Sequence, residues 1–130
     1  MSEATARVRV LLVEDSDVYR ESLVYLLQAR RDVDVVAAVP DGASAVRASR
    51  ELDPDVVVLD YRLPDVDGAE VVEQLAEQRS RAAIVFLSAS AGRAEYDAAS
   101  SVGAPLVRKD EGVDALVRAV HAAAGGGWVE

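Results

Sequence analysis

The chain has 130 residues, no cysteine and a net charge of −9. That length suits one domain with a real core, the lack of cysteine excludes disulfides and thiolate metal sites, and the acidity argues against a nucleic-acid surface within the chain. No apolar run approaches the ~20 residues that cross a bilayer, and Met1-Ser2-Glu3-Ala4-Thr5 has no basic, apolar signal region, so a cytoplasmic location is expected.

Short apolar runs alternate with amphipathic stretches. Val8–Val13 reads as the first strand. Ser16 or Asp17 caps a helix running to about Ala29, with Tyr19, Leu23, Leu26 and Leu27 on one face. Val33–Val39 is a second strand. Pro40-Asp41-Gly42 turns the chain into a second helix to about Glu51, and Asp53-Pro54 ends it. Val56–Asp60 is a third strand, a continuous apolar run that closes on a carboxylate. A loop to Gly68 leads into a third helix with Val71, Val72 and Leu75 inward. Ala83–Leu87 is a fourth strand. A fourth helix covers about Arg93–Val102 and stops at Gly103. Leu106–Arg108 is a short fifth strand. A fifth helix covers about Val113–Ala124, with Val113, Leu116, Val117 and Val120 at helical spacing.

Five strand–helix units in strict alternation predict an α/β fold, a parallel sheet with helices on both faces. The strand order expected at this size is the flavodoxin-like, doubly wound 2-1-3-4-5. Its switch point falls between the first and third strands, where functional groups collect. Those strands end in Glu14-Asp15 and Asp60. Such an acidic pocket suits a hard divalent cation, which prefers oxygen ligands. The fourth strand ends near Ser88 and the fifth is followed by Lys109, so a hydroxyl and an ammonium join the same edge. Each group has an ordinary reading too. A carboxylate at a strand end commonly caps the next helix, and Asp15 carries both readings.

Several other motifs fail on inspection. Asp65-Val66-Asp67-Gly68 looks like the start of a calcium loop, but Ala76 stands at the twelfth position, where a bidentate glutamate is required. The same string looks like an Asp-x-Asp-Gly phosphatase motif, but Asp60 holds the position directly after the strand. No glycine-rich phosphate loop follows the first strand. His121 is expected on the surface without partners. Trp128 reads as packing near the terminus.

With Leu11-Leu12-Val13-Glu14-Asp15, Pro54-Asp55-Val56-Val57-Val58-Leu59-Asp60, Leu63-Pro64, Asp67-Gly68, Leu87-Ser88-Ala89 and Gly103-Ala104 before Lys109, the chain resembles the receiver domains of two-component response regulators. The resemblance runs from about Val8 to Gly127 and implies a single CheY-like receiver domain over residues 1–130. Ala119-Val120-His121-Ala122-Ala123-Ala124-Gly125-Gly126, with Lys109-Asp110, is similar to the NarL/FixJ (LuxR-type) group. Members of that group usually carry a C-terminal DNA-binding domain, which is not in this chain.

The resemblance implies Mg²⁺ as cofactor and a sensor histidine kinase as partner. It implies that Asp60 accepts the phosphoryl group as an acyl phosphate. It further implies that Asp15 and Asp60 ligate Mg²⁺ by side chain, Arg62 by its backbone carbonyl and Glu14 through water. Ser88 and Lys109 would each meet a phosphoryl oxygen, and Lys109 would bridge to Asp60 in the free site. The only catalysis implied is the protein's own phosphorylation and dephosphorylation. The face of the fourth helix, fifth strand and fifth helix is the expected homodimer or output surface, serving transcription in a full-length protein.

The chain departs from the family pattern at Leu106, which stands where a switch aromatic is expected, three residues before Lys109. The segment Gly103-Ala104-Pro105-Leu106-Val107-Arg108-Lys109 is also one residue short. A deletion inside the strand would reverse its faces, so it is placed in the loop before Leu106, leaving Lys109 aimed at the site. Asp110 replaces the frequent proline. These departures leave an alternative, a phosphorylation-independent receiver that acts as a dimerisation or protein-binding module. Arg62 and Ser90, each two residues beyond a site residue, are expected at the mouth of the site.

Overall fold

The computed structural model describes residues 7–89 and 92–125. Its elements are β1 (Val8–Val13), α1 (Asp17–Gln28), β2 (Val33–Val39), α2 (Gly42–Leu52), β3 (Val56–Asp60), α3 (Gly68–Glu77), β4 (Ala83–Ser88), α4 (Arg93–Ser101), β5 (Leu106–Arg108) and α5 (Val113–Gly125). The strands pair in the order β2-β1-β3-β4-β5, all parallel, as alternating strands and helices require. A short 3-10 turn, Lys109–Glu111, follows β5.

Alternate residues of each strand feed opposite layers. Val10, Leu12, Val56, Val58, Val85 and Leu87 pack under α1 and α5 with Leu23, Leu27, Leu116, Val117 and Val120. Leu11, Val13, Val57, Leu59 and Phe86 pack under the other helices with Ala45, Val71, Leu75 and Ala99. β3 is buried along its full length, which is why its sequence shows no polar alternation.

The helix ends follow from local chemistry. Ser16 Oγ accepts the Tyr19 N–H at 3.3 Å and caps α1, so Asp15 is not the cap. Asp41 and Asp67 cap α2 and α3 in the same way. α4 ends in a Schellman arrangement, with Ala104 N–H on Ala99 O and Gly103 N–H on Ser100 O. Gly103 takes φ +67, where a side chain would be strained. At Gly68 the constraint is space, because a Cβ there would lie 2.8 Å from Phe86 Cε1 and 3.0 Å from Tyr61 Cα.

Two expectations are corrected. Leu26 is not part of the inward face of α1 but 43% exposed; Leu23 and Leu27 are the buried residues of that helix, with Tyr19 and Val24 partly buried against the same core. His121 is not without partners: its Nε2 lies 2.7 Å from Asp32 Oδ2, tying α5 to the loop before β2. Ser90 and Trp128 lie outside the described residues.

Candidate functional site

The parallel register brings four strand ends to one edge. Val13 pairs with Leu59, Asp60 with Leu87 and Ser88 with Arg108. Glu14 and Asp15, just after β1, therefore lie beside Asp60. Ser88 closes β4 and is buried. Lys109 follows β5 directly and reaches back across the edge, so the short loop before Leu106 preserves its direction.

Glu14 extends the sheet by one hydrogen bond, its N–H to Val39 O at 3.0 Å. Its side chain is fully buried. Oε2 accepts the Ser16 N–H at 2.9 Å. Oε1 takes no directed hydrogen bond among the described residues, and its compensation is the Lys109 ammonium at 2.8 Å. A buried carboxylate costs several kcal/mol unless it is paired, so this contact holds the edge together. Arg20 fastens α1 to the same turn, with Nη1 on Glu14 O at 2.8 Å and Nη2 on Asp17 Oδ1 at 2.6 Å.

Asp60 is 5% exposed at the floor of the edge. Oδ1 accepts the Arg62 N–H at 3.1 Å and Oδ2 accepts from Lys109 Nζ at 3.1 Å. Burial, reinforced by the Glu14 carboxylate, pushes the Asp60 carboxyl up to about 6, against the Arg62 N–H and Lys109. For Lys109, burial favours the neutral amine, but Glu14 and Asp60 outweigh it and hold its pKa above the ordinary value.

One carboxylate oxygen from each of Glu14, Asp15 and Asp60 lies within 4.8 Å of the others. Three carboxylates face one ammonium, and every available donor is oxygen. The excess of carboxylates over cations and the all-oxygen donor set fit a hard divalent cation.

The two acids of the calcium-like string are structural. Asp65 Oδ1 and Oδ2 accept the N–H groups of Gly42 and Ala43 at 2.9 and 3.0 Å, clamping the start of α2. Those hydrogen bonds hold its carboxyl below the ordinary value.

Two residues were not read as site residues in the sequence, where Tyr19 stands only on the inward face of the first helix. The Tyr19 ring backs Lys109, with Nζ 4.7 Å from its centroid. Its signal was position, one helical turn past Asp15. Glu95, on the first turn of α4, holds the Arg62 guanidinium at 3.1 Å. No local sequence signal marks it, since an acid in the first turn of a helix is ordinarily surface.

The family described as "Response regulator receiver domain" matches residues 10–121. Transcriptional regulatory protein LnrK of Bacillus subtilis is 31% identical over 123 residues, covering 94% of this chain and 56% of that protein. Nitrate/nitrite response regulator protein NarL of Escherichia coli is 30% identical over 121 residues, covering 92% of this chain and again 56% of that protein. The chain thus spans about half the length of these curated relatives. Among solved structures, the signal receiver domain of the NarL regulator of Mycobacterium tuberculosis superposes with a TM-score of 0.85 at 33% identity, covering 93% of this chain and 98% of that one. The response regulator domain of Thermotoga maritima CheB gives 0.82 at 26% identity, covering 92% and 97%.

Proposed function

Because the chain belongs to the response regulator receiver domain family, within its NarL/LuxR-type group, we propose that Asp60 is the phosphoacceptor of a two-component phosphorelay. The observation that carries this is the joint hold on Asp60, from Lys109 Nζ on one oxygen and the Arg62 N–H on the other, beside the acids Glu14 and Asp15.

An Asp60 oxygen attacks the phosphorus of a phosphohistidine. An O–P bond forms, the P–N bond breaks, and the imidazole leaves with the electron pair. Asp15, Asp60, the Arg62 carbonyl and, through water, Glu14 would hold Mg²⁺, which when bound offsets repulsion between carboxylates and phosphoryl oxygens. Lys109 leaves Asp60 for a phosphoryl oxygen while keeping its charge beside Glu14. Ser88, buried at the end of β4, donates its hydroxyl to another phosphoryl oxygen. The carboxylate must be ionised to attack, and a bound cation favours that form over the raised pKa of the metal-free site.

The phosphodonor is a sensor histidine kinase, and transcription is the output in a full-length regulator of the kind the name of LnrK describes. Val18 and Tyr25 on α1 are 78% and 77% exposed, with Leu26 beside them. This apolar face follows Asp15 in the chain and suits a helix of the kinase. Tyr96 on α4 and Val102 at its C-cap are also exposed, and suit contact with a copy of the chain or an output domain.

Titration with beryllofluoride and Mg²⁺, followed by amide NMR, tests the reading. Shifts at Asp60, Ser88 and Lys109 in the parent, absent in Asp60→Asn, are the expected result. No shifts in the parent would favour the phosphate-independent binding module, which the leucine at position 106 keeps as a second reading.

A further inference from the structure

Arg62 belongs to the Asp60 site through its backbone, whose N–H holds Asp60 Oδ1 at 3.1 Å. Its side chain is engaged elsewhere. Nη2 pairs with Oε2 of Glu95 at 3.1 Å, and the guanidinium carbon lies 5.9 Å from the Tyr61 ring centroid. The two partners differ sharply: the Arg62 side chain is 74% exposed and that of Glu95 is 3% exposed. Glu95 folds back over the start of α4, where a Cβ on Gly92 would lie 2.7 Å from its Oε1. The position suits an acid, since the N-terminus of a helix favours negative charge.

The asymmetry has a consequence for motion. An exposed arginine can leave its partner for water at little cost, but a buried carboxylate that loses its cation is destabilised. Arg62 is the cation paired with Glu95 among the described residues. Departure of the guanidinium therefore favours opening of the first turn of α4, so that Glu95 reaches water.

We propose that Glu95 is a positioning residue for the phosphoryl chemistry of Asp60: it holds the Arg62 guanidinium away from the phosphoryl group, and the exchange of that guanidinium between Glu95 and the phosphoryl oxygens passes the state of Asp60 to α4. The proposal rests on Asp60 being the phosphoacceptor. A phosphoryl group on Asp60 replaces the single negative charge of the carboxylate with about two on its own oxygens, next to the Arg62 backbone, and a guanidinium matches such oxygens in a two-pronged geometry. The cation cannot serve both acceptors fully. The competition creates two arrangements of one element, the physical requirement for coupling two sites.

The test uses the parent, Glu95→Gln, Arg62→Ala and the double variant, each phosphorylated with acetyl phosphate and Mg²⁺. The decay of the phosphoryl adduct is followed by intact mass, and hydrogen exchange of α4 by fragment mass. Glu95→Gln releases the guanidinium to shield the phosphoryl group, and decay slows about threefold, the scale of a partly exposed ion pair. The same substitution in the Arg62→Ala background has no further effect on decay. In the parent, exchange in the first turn of α4 rises on phosphorylation; in Arg62→Ala that response is lost. Arg62→Ala changes an exposed side chain, so the exchange arm stands even if Glu95→Gln folds poorly. Equal decay in parent and Glu95→Gln, an undiminished effect of Glu95→Gln without Arg62, or an intact α4 response in Arg62→Ala would each overturn the proposal. A parent that gains no phosphoryl mass is a different result, and removes the phosphoacceptor reading on which the proposal rests.

Discussion

The ammonium of Lys109 lies 2.8 Å from Oε1 of Glu14, a carboxylate with no solvent exposure. Lys109 therefore stabilises the fold as well as facing Asp60. The acidic edge exists in its compact form because one cation just after β5 reaches a carboxylate just after β1 and another at the end of β3.

Lys109→Met keeps the aliphatic stem and removes the charge. It strands Glu14, and the expected loss is about 2–4 kcal/mol of stability in metal-free buffer. Mg²⁺ should return more stability to this variant than to the parent, because a bound cation takes over the neutralisation. Urea unfolding with and without Mg²⁺ measures both. Equal midpoints for variant and parent in metal-free buffer would contradict the structural role.

Asp60 gives a pH dependence of defined sign. Its folded pKa is raised from 3.8 to about 6. Within that window the folded chain binds the proton more tightly than the unfolded chain does. The contribution to stability is thus fully present below the ordinary value and is lost as pH rises through about 6. Above that window, metal-free Asp60→Asn should be more stable than the parent by about 1–3 kcal/mol, and near pH 4 the gap should close. Unfolding at several pH values checks this, and a gap that widens toward acid contradicts it. Mg²⁺ affinity should run the opposite way and weaken as pH falls through the same range, since ligands must be ionised to bind.

Tyr19 supplies an aromatic face to Lys109. Tyr19→Phe keeps that face and should phosphorylate at the parental rate. Tyr19→Leu removes it, with about 0.5–1 kcal/mol of coupling to Lys109 expected in a double-mutant cycle of stability. Additive effects of Tyr19→Leu and Lys109→Met would show that the ring is only packing.

The fold was legible because the sequence pattern and the topology agree. Every strand is an apolar run bounded by turn chemistry, and the right-handed crossover rule leaves few orders to choose from. The edge acids were legible for the same reason: Glu14, Asp15 and Asp60 follow apolar runs directly, so naming the strands names their neighbours. Glu95 was not legible. Its burial depends on a partner more than thirty residues away in the chain, and nothing around it marks an acid at a helix start as anything but surface. The outward turn of Leu26 and the His121–Asp32 contact were missed alike, because helical periodicity identifies a face but not its width. Asp65 shows the converse, a motif-like acid whose oxygens are occupied by the backbone of α2.

The apolar face of α1 separates two routes of phosphorylation. Tyr25→Asp places a charge on an exposed position and should leave phosphorylation by acetyl phosphate unchanged. Transfer from the cognate kinase should fall by tenfold or more, about the loss of one aromatic anchor. Equal losses with both donors would place the defect in the Asp60 site, and no loss with either would place the kinase elsewhere.

The central claim is tested most directly by intact mass after incubation with acetyl phosphate and Mg²⁺. One phosphoryl mass should appear on the parent and be absent from Asp60→Asn. An adduct on both would move the acceptor to another residue, and an adduct on neither, under conditions where Mg²⁺ binds, would contradict the account.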